Sequence, residues 1–414
     1  MLFLYSILVY ISSFFIKLAA LFSSKLRLFV DGRKTVFNFL AEQISPTDRV
    51  IWFHTASLGE FEQGLPVIEQ TKKDFPKYKI LVTFFSPSGY EVKKNTSAAD
   101  VVCYLPLDTK RNAKRFLKCV NPEIAIFVKY EFWPNYLSVL KNKQIPTLLI
   151  SGVFRENQVF FKWYGGFMRN ALNAFDHFFV QDENSKQLLN TINISNVTVS
   201  GDTRFDRVAE ILERNNTLNF VETFKNQKLC LVAGSTWPED EVLLIEYINN
   251  DTLGKLKYII APHNIKSVEI QKLKKSLNKK VVLYSEMNET DISTYDVLIL
   301  DTIGILTKVY SYADLAYVGG GMGTTGLHNT LEPAVFGIPV IIGKNYDEFL
   351  EAKELVKLGG VISVKNANQF KEEINYLLDN QKVFEEKSSL NKNFIVKNKG
   401  AKIQIGCYIR KLIK

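Results

Sequence analysis

The chain has 414 residues, more than one hydrophobic core usually organises, and this length predicts two or three domains. Its apolar fraction of 46% and charged fraction of 23% are typical of globular proteins and exclude a largely disordered chain. The 52 basic and 43 acidic residues give a formal charge of +9, which suits phosphorylated ligands or anionic lipid headgroups and equally fits a solvated basic surface.

The spacing of cysteines and histidines indicates neither a disulfide framework nor a metal site. These residues are Cys103, Cys119, Cys230, Cys407, His54, His177, His263 and His328. No C-x-x-C, H-E-x-x-H or Asp-x-Asp occurs, so we expect a reducing compartment, no metal and no cofactor. Zinc-finger spacing, arginine-rich blocks and aromatic RNA-binding motifs are also absent, so nucleic acid is not an expected partner.

The first 24 residues predict a membrane anchor. From Leu2 to Phe22 the only charge is Lys17, and the run is long enough to cross a bilayer or to lie in its interface. A cleaved signal peptide is the alternative, but no basic region precedes the apolar run. Basic residues follow the run at Lys25, Arg27, Arg33 and Lys34. The positive-inside rule therefore places the remaining chain in the cytoplasm.

After the anchor, short runs rich in Val, Ile and Phe alternate with longer polar segments of helical period. In the first half, the runs predict strands at 49–53, 79–84, 101–105, 124–128, 147–150 and 177–180. Regular alternation of strand and helix predicts a parallel sheet that is covered on both faces.

A polar stretch, RNNTLNFVETFKNQ, occupies residues 214–227 and is the predicted linker. A second series of strands follows at 229–233, 257–261, 280–284, 297–300, 315–318 and 340–342. The expected fold class is therefore α/β, with two Rossmann-like doubly wound domains that face a cleft. Their expected bounds are 25–213 and 228–414, and ligands of such sheets bind at the carboxyl ends of the strands.

The segment His54-Thr-Ala-Ser-Leu-Gly-Glu60 follows the first predicted strand and begins a helix. Glu60 would lie at the mouth of the cleft, where a carboxylate can accept a proton. Ser57 and Glu60 also have the spacing of a capping box, in which the two side chains satisfy the first helical amides. By spacing alone, the cap is the favoured interpretation.

The segment from Gly319 to Pro333 is rich in glycine, follows a predicted strand and leads into a helix. Glycine amides beside a helix start can hold phosphate. The segment contains G-x-G-x-x-G at Gly321, Gly323 and Gly326. A dinucleotide fingerprint normally follows the first strand of a domain, whereas this one lies late in the second, so NAD binding is disfavoured.

Ala233-Gly-Ser-Thr-Trp-Pro-Glu239 reads as a strand, a glycine turn and a helix cap. Phosphate binding and simple capping are equally compatible with it. The loop at Pro262 and His263 and the helix start after Asp301 also lie at ends of predicted strands.

In this order and spacing, the segments resemble the transferases of 3-deoxy-D-manno-octulosonic acid (Kdo) in lipopolysaccharide synthesis, a family with the two-domain GT-B glycosyltransferase fold. The resemblance extends over nearly the whole chain. Its motifs are Gly32-Arg33-Lys34, HTASLGE, Ser86-Pro-Ser-Gly89, Tyr130-Glu-Phe-Trp-Pro134, Gly201-Asp-Thr-Arg-Phe-Asp206, AGST and HNTLEP.

The resemblance implies roles for particular residues. Glu60 occupies the position of the family's catalytic base, which reverses the preference for a purely structural cap. Arg204 and Lys129 occupy further catalytic positions. The implied contacts of cytidine monophosphate (CMP) are Ser235, Pro262, His263, Ile303, Gly304, Ile305, Asn329, Thr330, Leu331 and Glu332.

Four of these positions depart from the family pattern. Lys129 stands where the family commonly has a glutamate that supports the transition state. Arg204 replaces a lysine and keeps the charge, although a planar guanidinium is not equivalent to an ammonium. Ile305 replaces a glutamate and offers CMP only its backbone, and Thr330 replaces a proline.

The implied reaction is inverting transfer of Kdo from CMP-Kdo to the lipid A precursor. The expected partners are this donor, this acceptor and the anionic cytoplasmic leaflet. Two alternatives stay open at this point. One is a GT-B enzyme that uses a UDP-sugar, and the other is a non-enzymatic two-domain protein that binds sugars.

Overall fold

Two seven-stranded parallel sheets form the framework of the chain. The computed structural model describes residues 1–252, 254–289 and 291–413. Unit 1 comprises Met1–Arg207 and the C-terminal segment from Lys399 onward, and unit 2 comprises Val208–Asn398.

Unit 1 begins with three helices and then alternates strands with helices. Its helices are α1 Leu2–Ala19, α2 Ser24–Lys34, α3 Val36–Gln43, α4 Leu58–Asp74, α5 Pro87–Lys93, α6 Lys110–Val120, α7 Pro134–Asn142, α8 Gly166–Leu172, α9 Glu183–Thr191 and α10 Thr203–Ala209. Its strands are β1 Val50–Thr55, β2 Lys79–Phe84, β3 Val101–Tyr104, β4 Ile124–Val128, β5 Thr147–Gly152, β6 His177–Val180 and β7 Val197–Val199.

Unit 2 repeats the alternation. Its helices are α11 Asn219–Lys225, α12 Pro238–Asn250, α13 Ser267–Ser276, α14 Leu306–Val309, α15 Leu331–Ala334, α16 Leu350–Leu358, α17 Ala367–Asp379 and α18 Gln381–Asn398. Its strands are β8 Leu229–Thr236, β9 Leu256–Pro262, β10 Val281–Leu283, β11 Val297–Ile299, β12 Leu315–Val318, β13 Val340–Ile342 and β14 Val361–Ser363. The last helix, α19 Ala401–Leu412, returns to unit 1.

The central strands are buried on both faces, which is why they read as continuous apolar runs in the sequence. Each strand predicted from the sequence is present, and the α/β fold class is confirmed. The prediction missed β7 and β14, which have three residues each and lie at the edges of their sheets. Such short strands show no usable period, and only pairing with a neighbouring strand defines them.

The order of strands determines where each sheet can bind a ligand. In unit 1 the order is β3-β2-β1-β4-β5-β6-β7, and in unit 2 it is β10-β11-β9-β8-β12-β13-β14. The chain changes direction across the sheet between β1 and β4 in unit 1 and between β8 and β12 in unit 2. Ligands of doubly wound sheets bind at such switch points, outside the carboxyl ends of the strands.

The C-terminal helix corrects the expected bounds of the second domain, which had been extended to residue 414. Ile405 and Ile409 of α19 are fully buried in a core that also contains Phe61 and Ile68 of α4. Arg410 also forms an ion pair with Asp74 of α4. An apolar stripe at helical spacing has to be covered, and α4 provides the covering surface.

The expected linker at 214–227 also differs from the structure, because the chain leaves unit 1 after Arg207. Residues 219–225 form α11, a helix of unit 2 in which Val221 and Phe224 are fully buried. The stretch is mostly polar, so the sequence analysis did not recognise that its two buried apolar residues lie on one face of a helix.

We predict that Ile409→Ala lowers the free energy of unfolding by about 2–5 kcal/mol, since it leaves a cavity between α19 and α4. Chemical denaturation measures the change. Ile403→Ala on the same helix is the matched control, because Ile403 is 63% exposed and its truncation should be nearly neutral. Equal effects of the two substitutions would contradict this packing of α19.

Candidate functional site

Glu60 lies in the first turn of α4, directly after β1, at the switch point of unit 1. Its Oε2 accepts hydrogen bonds from the Ser57 backbone N–H at 2.7 Å and from the Ser57 hydroxyl at 3.1 Å. The Glu60 N–H in turn donates to the Ser57 hydroxyl, which completes the predicted capping box. Both bonds to the carboxylate use Oε2, and among the described residues no hydrogen bond reaches Oε1. Capping and proton acceptance are therefore compatible.

A buried polar cluster lies beside Glu60 and was not found from the sequence. His54 lies near the end of β1 and is fully buried. Its Nε2 lies 3.1 Å from the Oε2 atom of Glu131, a residue that follows β4. Trp133 donates its Nε1–H to the same carboxylate at 2.7 Å. The Thr83 hydroxyl contacts His54 Nδ1 at 2.8 Å. Trp133 Nε1 also lies 3.0 Å from His54 Nε2, so both ring nitrogens of His54 have polar partners inside the fold.

The surroundings of Glu60 raise the pKa of its carboxyl group above the ordinary value. Burial is the largest cause, and repulsion from the Glu131 carboxylate adds to it. The hydrogen bonds from Ser57 and the proximity of His54 act in the opposite direction, but they do not cancel the increase. A carboxylate with a raised pKa is a stronger base, which is what proton abstraction from a hydroxyl requires.

Arg204 is positioned by the loop that opens α10. Asp202 accepts from the Arg204 Nε at 2.8 Å and from its backbone N–H at 2.9 Å, so the guanidinium is held in one direction. Thr203 ties the same loop to α4 through the Gln63 carbonyl oxygen. Asp206 accepts from the backbone N–H groups of Gly400 and Lys402 at 2.8 and 3.0 Å, which fixes the start of α19.

Lys129 lies at the end of β4 with a positive φ of 70°, a backbone conformation that is costly for a side chain with Cβ. Its Nζ lies 5.2 Å from the ring centroid of Tyr130. Burial raises the pKa of Tyr130, and the charges of Glu60 and Arg204 act on it in opposite directions. Lys129 is therefore in contact with Tyr130, and the charges of Glu60 and Arg204 act on the same tyrosine.

In unit 2, a second buried carboxylate organises the switch point. Asp240 of α12 accepts from the Gly320 N–H at 2.7 Å, the Trp237 N–H at 2.9 Å and the Tyr317 hydroxyl at 2.6 Å. It thereby joins the segment after β8 to the glycine loop after β12. The sequence pattern did not predict this role of Asp240.

The glycines of this loop are explained by close packing of backbone. A Cβ at Gly319 would lie 2.4 Å from the carbonyl oxygen of Ser235. A Cβ at Gly323 would lie 3.0 Å from the Glu239 carboxyl carbon, and a carboxylate at this point disfavours a bound pyrophosphate. The following helix, α15, has only four residues. These contacts agree with the low weight given to NAD binding.

Three aromatic rings stack at the carboxyl ends of β8 and β9. The His263 ring lies parallel to Trp237, with centroids 4.5 Å apart and 19° between the planes, and 4.6 Å from His328. Trp237 Nε1 donates to His328 Nε2 at 3.1 Å. Burial and the proximity of His263 lower the pKa of His328, so its Nε2 is available as an acceptor near neutral pH. Histidines that are isolated in the sequence are thus adjacent in the fold.

The remaining predicted CMP contacts lie at the ends of β8, β11 and β12, but they differ in accessibility. Ser235 has a positive φ of 54°, and Gly304 one of 93°. Ile303 is 86% exposed. Thr330 and Leu331 are buried, so a ligand would reach their backbone rather than their side chains.

Glu332 is the best-defined polar group in this part of unit 2. Thr307 donates to its Oε2 at 3.0 Å and Asn329 to its Oε1 at 3.2 Å. The carboxylate is therefore fixed between the segment that contains Ile305 and the segment that contains Asn329. Each carboxylate oxygen keeps acceptor capacity for a further hydroxyl.

No cluster of three or more His, Cys, Asp or Glu side chains that could hold a metal ion occurs in the described parts of the chain. The four cysteines are free thiols, and Cys103 and Cys230 are buried.

Residues 32–207 match the family described as 3-deoxy-D-manno-octulosonic-acid transferase. A 3-deoxy-D-manno-octulosonic acid transferase from Aquifex aeolicus is 28% identical over 380 residues, which cover 90% of this chain and 96% of that protein. Among solved structures, a UDP-GlcNAc 2-epimerase from Neisseria meningitidis aligns with a TM-score of 0.62 at 14% identity, over 87% of this chain and all of that one.

A further structure, MurG from Acinetobacter baumannii, aligns with a TM-score of 0.55 at 12% identity over 88% of this chain and 99% of that one. At such identities the two structures establish the fold alone, and that fold is of the GT-B class. The chain is a glycosyltransferase with two Rossmann-like units. The resemblance found in the sequence is confirmed, since residues 32–207 form a domain of the 3-deoxy-D-manno-octulosonic-acid transferase family.

The proximity of Glu131 to Glu60 predicts a change in the pH dependence of activity. Glu60 has to be deprotonated to act as a base, so kcat/KM should fall as the pH falls through its raised pKa. Glu131→Gln removes the negative neighbour, lowers the pKa of Glu60 and should move this acid limb to lower pH. Glu42→Gln, at an exposed position of α3, is the control for lost charge. An unchanged limb in Glu131→Gln would contradict the coupling.

Proposed function

We propose that this chain transfers Kdo from CMP-Kdo to a hydroxyl of the lipid A precursor, with inversion at the anomeric carbon. The observation that carries the proposal is the half-buried Glu60 carboxylate at the switch point of unit 1, whose raised pKa and unoccupied Oε1 suit a general base. The most direct test is incubation with CMP-Kdo and a lipid A precursor, followed by mass spectrometry of the lipid.

In the proposed reaction, the oxygen of the acceptor hydroxyl forms a bond to the anomeric carbon of Kdo. The bond from that carbon to the phosphate oxygen breaks, and CMP leaves with the electron pair. Glu60 Oε1 takes the hydroxyl proton, which makes the oxygen a better nucleophile as the bond forms. Attack from the face opposite CMP inverts the configuration.

The leaving group carries one phosphate, so cationic groups and helix N-termini can stabilise it without a metal. Arg204 is the leading candidate in unit 1, because Asp202 fixes its guanidinium while about a third of the side chain stays exposed. Lys129 adds a second positive charge beside Tyr130. The family's glutamate at this position would carry the opposite charge, so we assign Lys129 to binding an anionic ligand.

In unit 2, we assign CMP to the segments at the carboxyl ends of β8, β9, β11 and β12. The fixed Glu332 carboxylate suits the ribose hydroxyls, and backbone amides from Gly304 to Ile305 and from Asn329 to Leu331 suit the base and the phosphate. Pro262 and the stacked His263 supply a rigid apolar wall. Ser235 stays a candidate phosphate contact.

The proposed acceptor is a lipid, which explains why a membrane-binding segment would accompany the two units. Within the described residues, α1 is the helix long and apolar enough to cross a membrane by length and composition. We therefore propose that the chain acts at the cytoplasmic face of the inner membrane, where the net charge of +9 favours anionic lipid. A competition assay separates this function from that of a UDP-sugar enzyme, since the proposed site prefers CMP over UDP.

Glu60→Gln tests the base. Glutamine can still accept the Ser57 hydrogen bonds, so folding and CMP affinity should stay near normal, while single-turnover transfer should fall about 10² to 10⁴-fold. Ser57→Ala is the matched control, which removes the capping hydroxyl at a cost of about 0.5–2 kcal/mol in stability and spares the base. Retention of more than about a tenth of the activity in a stable Glu60→Gln variant would refute the assignment.

The lack of an Asp-x-Asp motif predicts that transfer persists in excess EDTA with at most a modest loss of rate. Initial rates with and without EDTA, and after addition of Mg²⁺, measure this. Complete inhibition that Mg²⁺ reverses would show that a divalent ion takes part in the reaction.

A further inference from the structure

We propose that α1 does not cross the bilayer but lies in the plane of one leaflet, as part of a membrane-docking face that also contains Trp163 and Tyr164. The partner is the interface of an anionic phospholipid bilayer. This inference rests on the membrane association proposed above, and it specifies which surface makes the contact and in which orientation.

One face of α1 is packed on unit 1. The partly buried residues of the helix recur at helical spacing and are Tyr5, Ser6, Val9, Ser13 and Ile16. The Tyr5 ring lies 5.8 Å from the ring of Phe167 in α8. A helix that is held along its length in this way keeps the orientation of the unit to which it is attached.

The contacts of this face are partly polar. Burial raises the pKa of the Asp108 carboxyl group to about 6, and the Tyr5 hydroxyl acts in the opposite direction. Asp108 also caps α7 by accepting from the backbone N–H of Asn135 at 3.1 Å. The Ser6 hydroxyl donates to the side-chain oxygen of Asn135 at 3.3 Å. These groups belong to the interior of unit 1, and placing them at the depth of the acyl chains would cost several kcal/mol, of the order of 3 for a carboxylate.

Charged side chains lie beside both ends of α1. Near its start, Lys110 and Lys141 line a groove of about 630 Å³ together with Met1, Leu2 and Phe3. Near its end, Lys17 and Lys34 line a second groove with Ile16. The ends of an 18-residue helix are about 27 Å apart, so a spanning α1 would carry these two basic groups to opposite surfaces of the bilayer. An in-plane α1 keeps both at the same surface, beside anionic headgroups.

The outer face of α1 is apolar and exposed. Its residues at heptad-like spacing are Leu4, Leu8, Ile11, Phe15 and Leu18, each at least 48% exposed. An apolar stripe of this length that no part of unit 1 covers suits the boundary between headgroups and acyl chains.

A second exposed apolar element belongs to the same unit. Trp163 is 90% exposed and Tyr164 is 60% exposed, in the loop that precedes α8, which is the helix that contacts Tyr5. The loop is rigid, because Arg169 donates to the carbonyl oxygens of Phe160 and Lys162 at 3.0 and 2.7 Å. A fixed loop that presents Trp and Tyr to the outside is typical of membrane interfaces, where both residues are enriched.

The orientation of α1 is tested by depth measurement with spin labels on the full chain bound to phosphatidylglycerol-containing vesicles. Leu4→Cys, Ile11→Cys and Leu18→Cys place labels on the same outer face at seven-residue intervals, about 10 Å apart along the helix. The background carries Cys119→Ser and Cys407→Ser, since these thiols are not buried. Val242→Cys in unit 2, at a 65% exposed position, is the control in water.

We expect the three labels at equal, shallow depth. A label at Ile11 that lies about 10 Å deeper than those at Leu4 and Leu18 would show a spanning helix and overturn the proposal, while leaving membrane association intact. Three labels in water, like the control, would refute membrane association itself.

The contribution of the loop is tested by the double substitution Trp163→Ala and Tyr164→Ala. Vesicle binding in a sedimentation assay should weaken about tenfold or more, because two large aromatic side chains leave the interface. Tyr376→Ala in unit 2 is the matched control, since Tyr376 is also exposed, at 51%. Transfer to detergent-solubilised acceptor should be unchanged in both variants. Unaltered vesicle binding by the double variant would exclude the loop from the docking face.

Discussion

The hydrogen bond between His54 and Glu131 is the constraint on which the catalytic end of unit 1 depends. It joins the ends of β1 and β4, which are the two strands at the switch point, and both side chains are buried. A buried carboxylate without its partners would cost several kcal/mol, so the two loops have to stay where His54 and Trp133 can reach it. Glu60 thereby acquires a charged neighbour, and the Glu131 carboxylate adds to the increase in the pKa of Glu60 that burial causes.

In unit 2, Asp240 has the corresponding role, because it joins the segments after β8 and β12. In each unit, then, one buried carboxylate holds together the two loops at the carboxyl ends of the central strands. The consequences differ between the units. Glu131 lies beside Glu60, the candidate base, whereas Asp240 accepts from backbone N–H groups and a hydroxyl and holds the glycine loop after β12. This difference agrees with a base in unit 1 and a nucleotide in unit 2, as proposed above.

The positions that depart from the family pattern lie beside this framework rather than within it. Arg204 is held by Asp202, and Lys129 follows β4 in a left-handed backbone conformation. Both side chains carry positive charge, and neither is a partner in the His54 to Glu131 hydrogen bond. A change of charge at such sites can alter ligand binding without a change of fold, since the buried cluster alone fixes the loops.

The sequence by itself determined the alternation of strands and helices, the capping box at Glu60 and the motifs of the family, because these depend on residues that are close along the chain. It could not reveal the edge strands β7 and β14, the return of α19 to unit 1 or the packing of α1 on unit 1, since each depends on a partner surface distant in sequence. The same holds for the contact of His54 with Glu131, 77 residues away, and for the stack of His263 on Trp237. Only the tertiary structure decided these, because burial and pairing arise when strands from separate parts of the chain meet in one sheet.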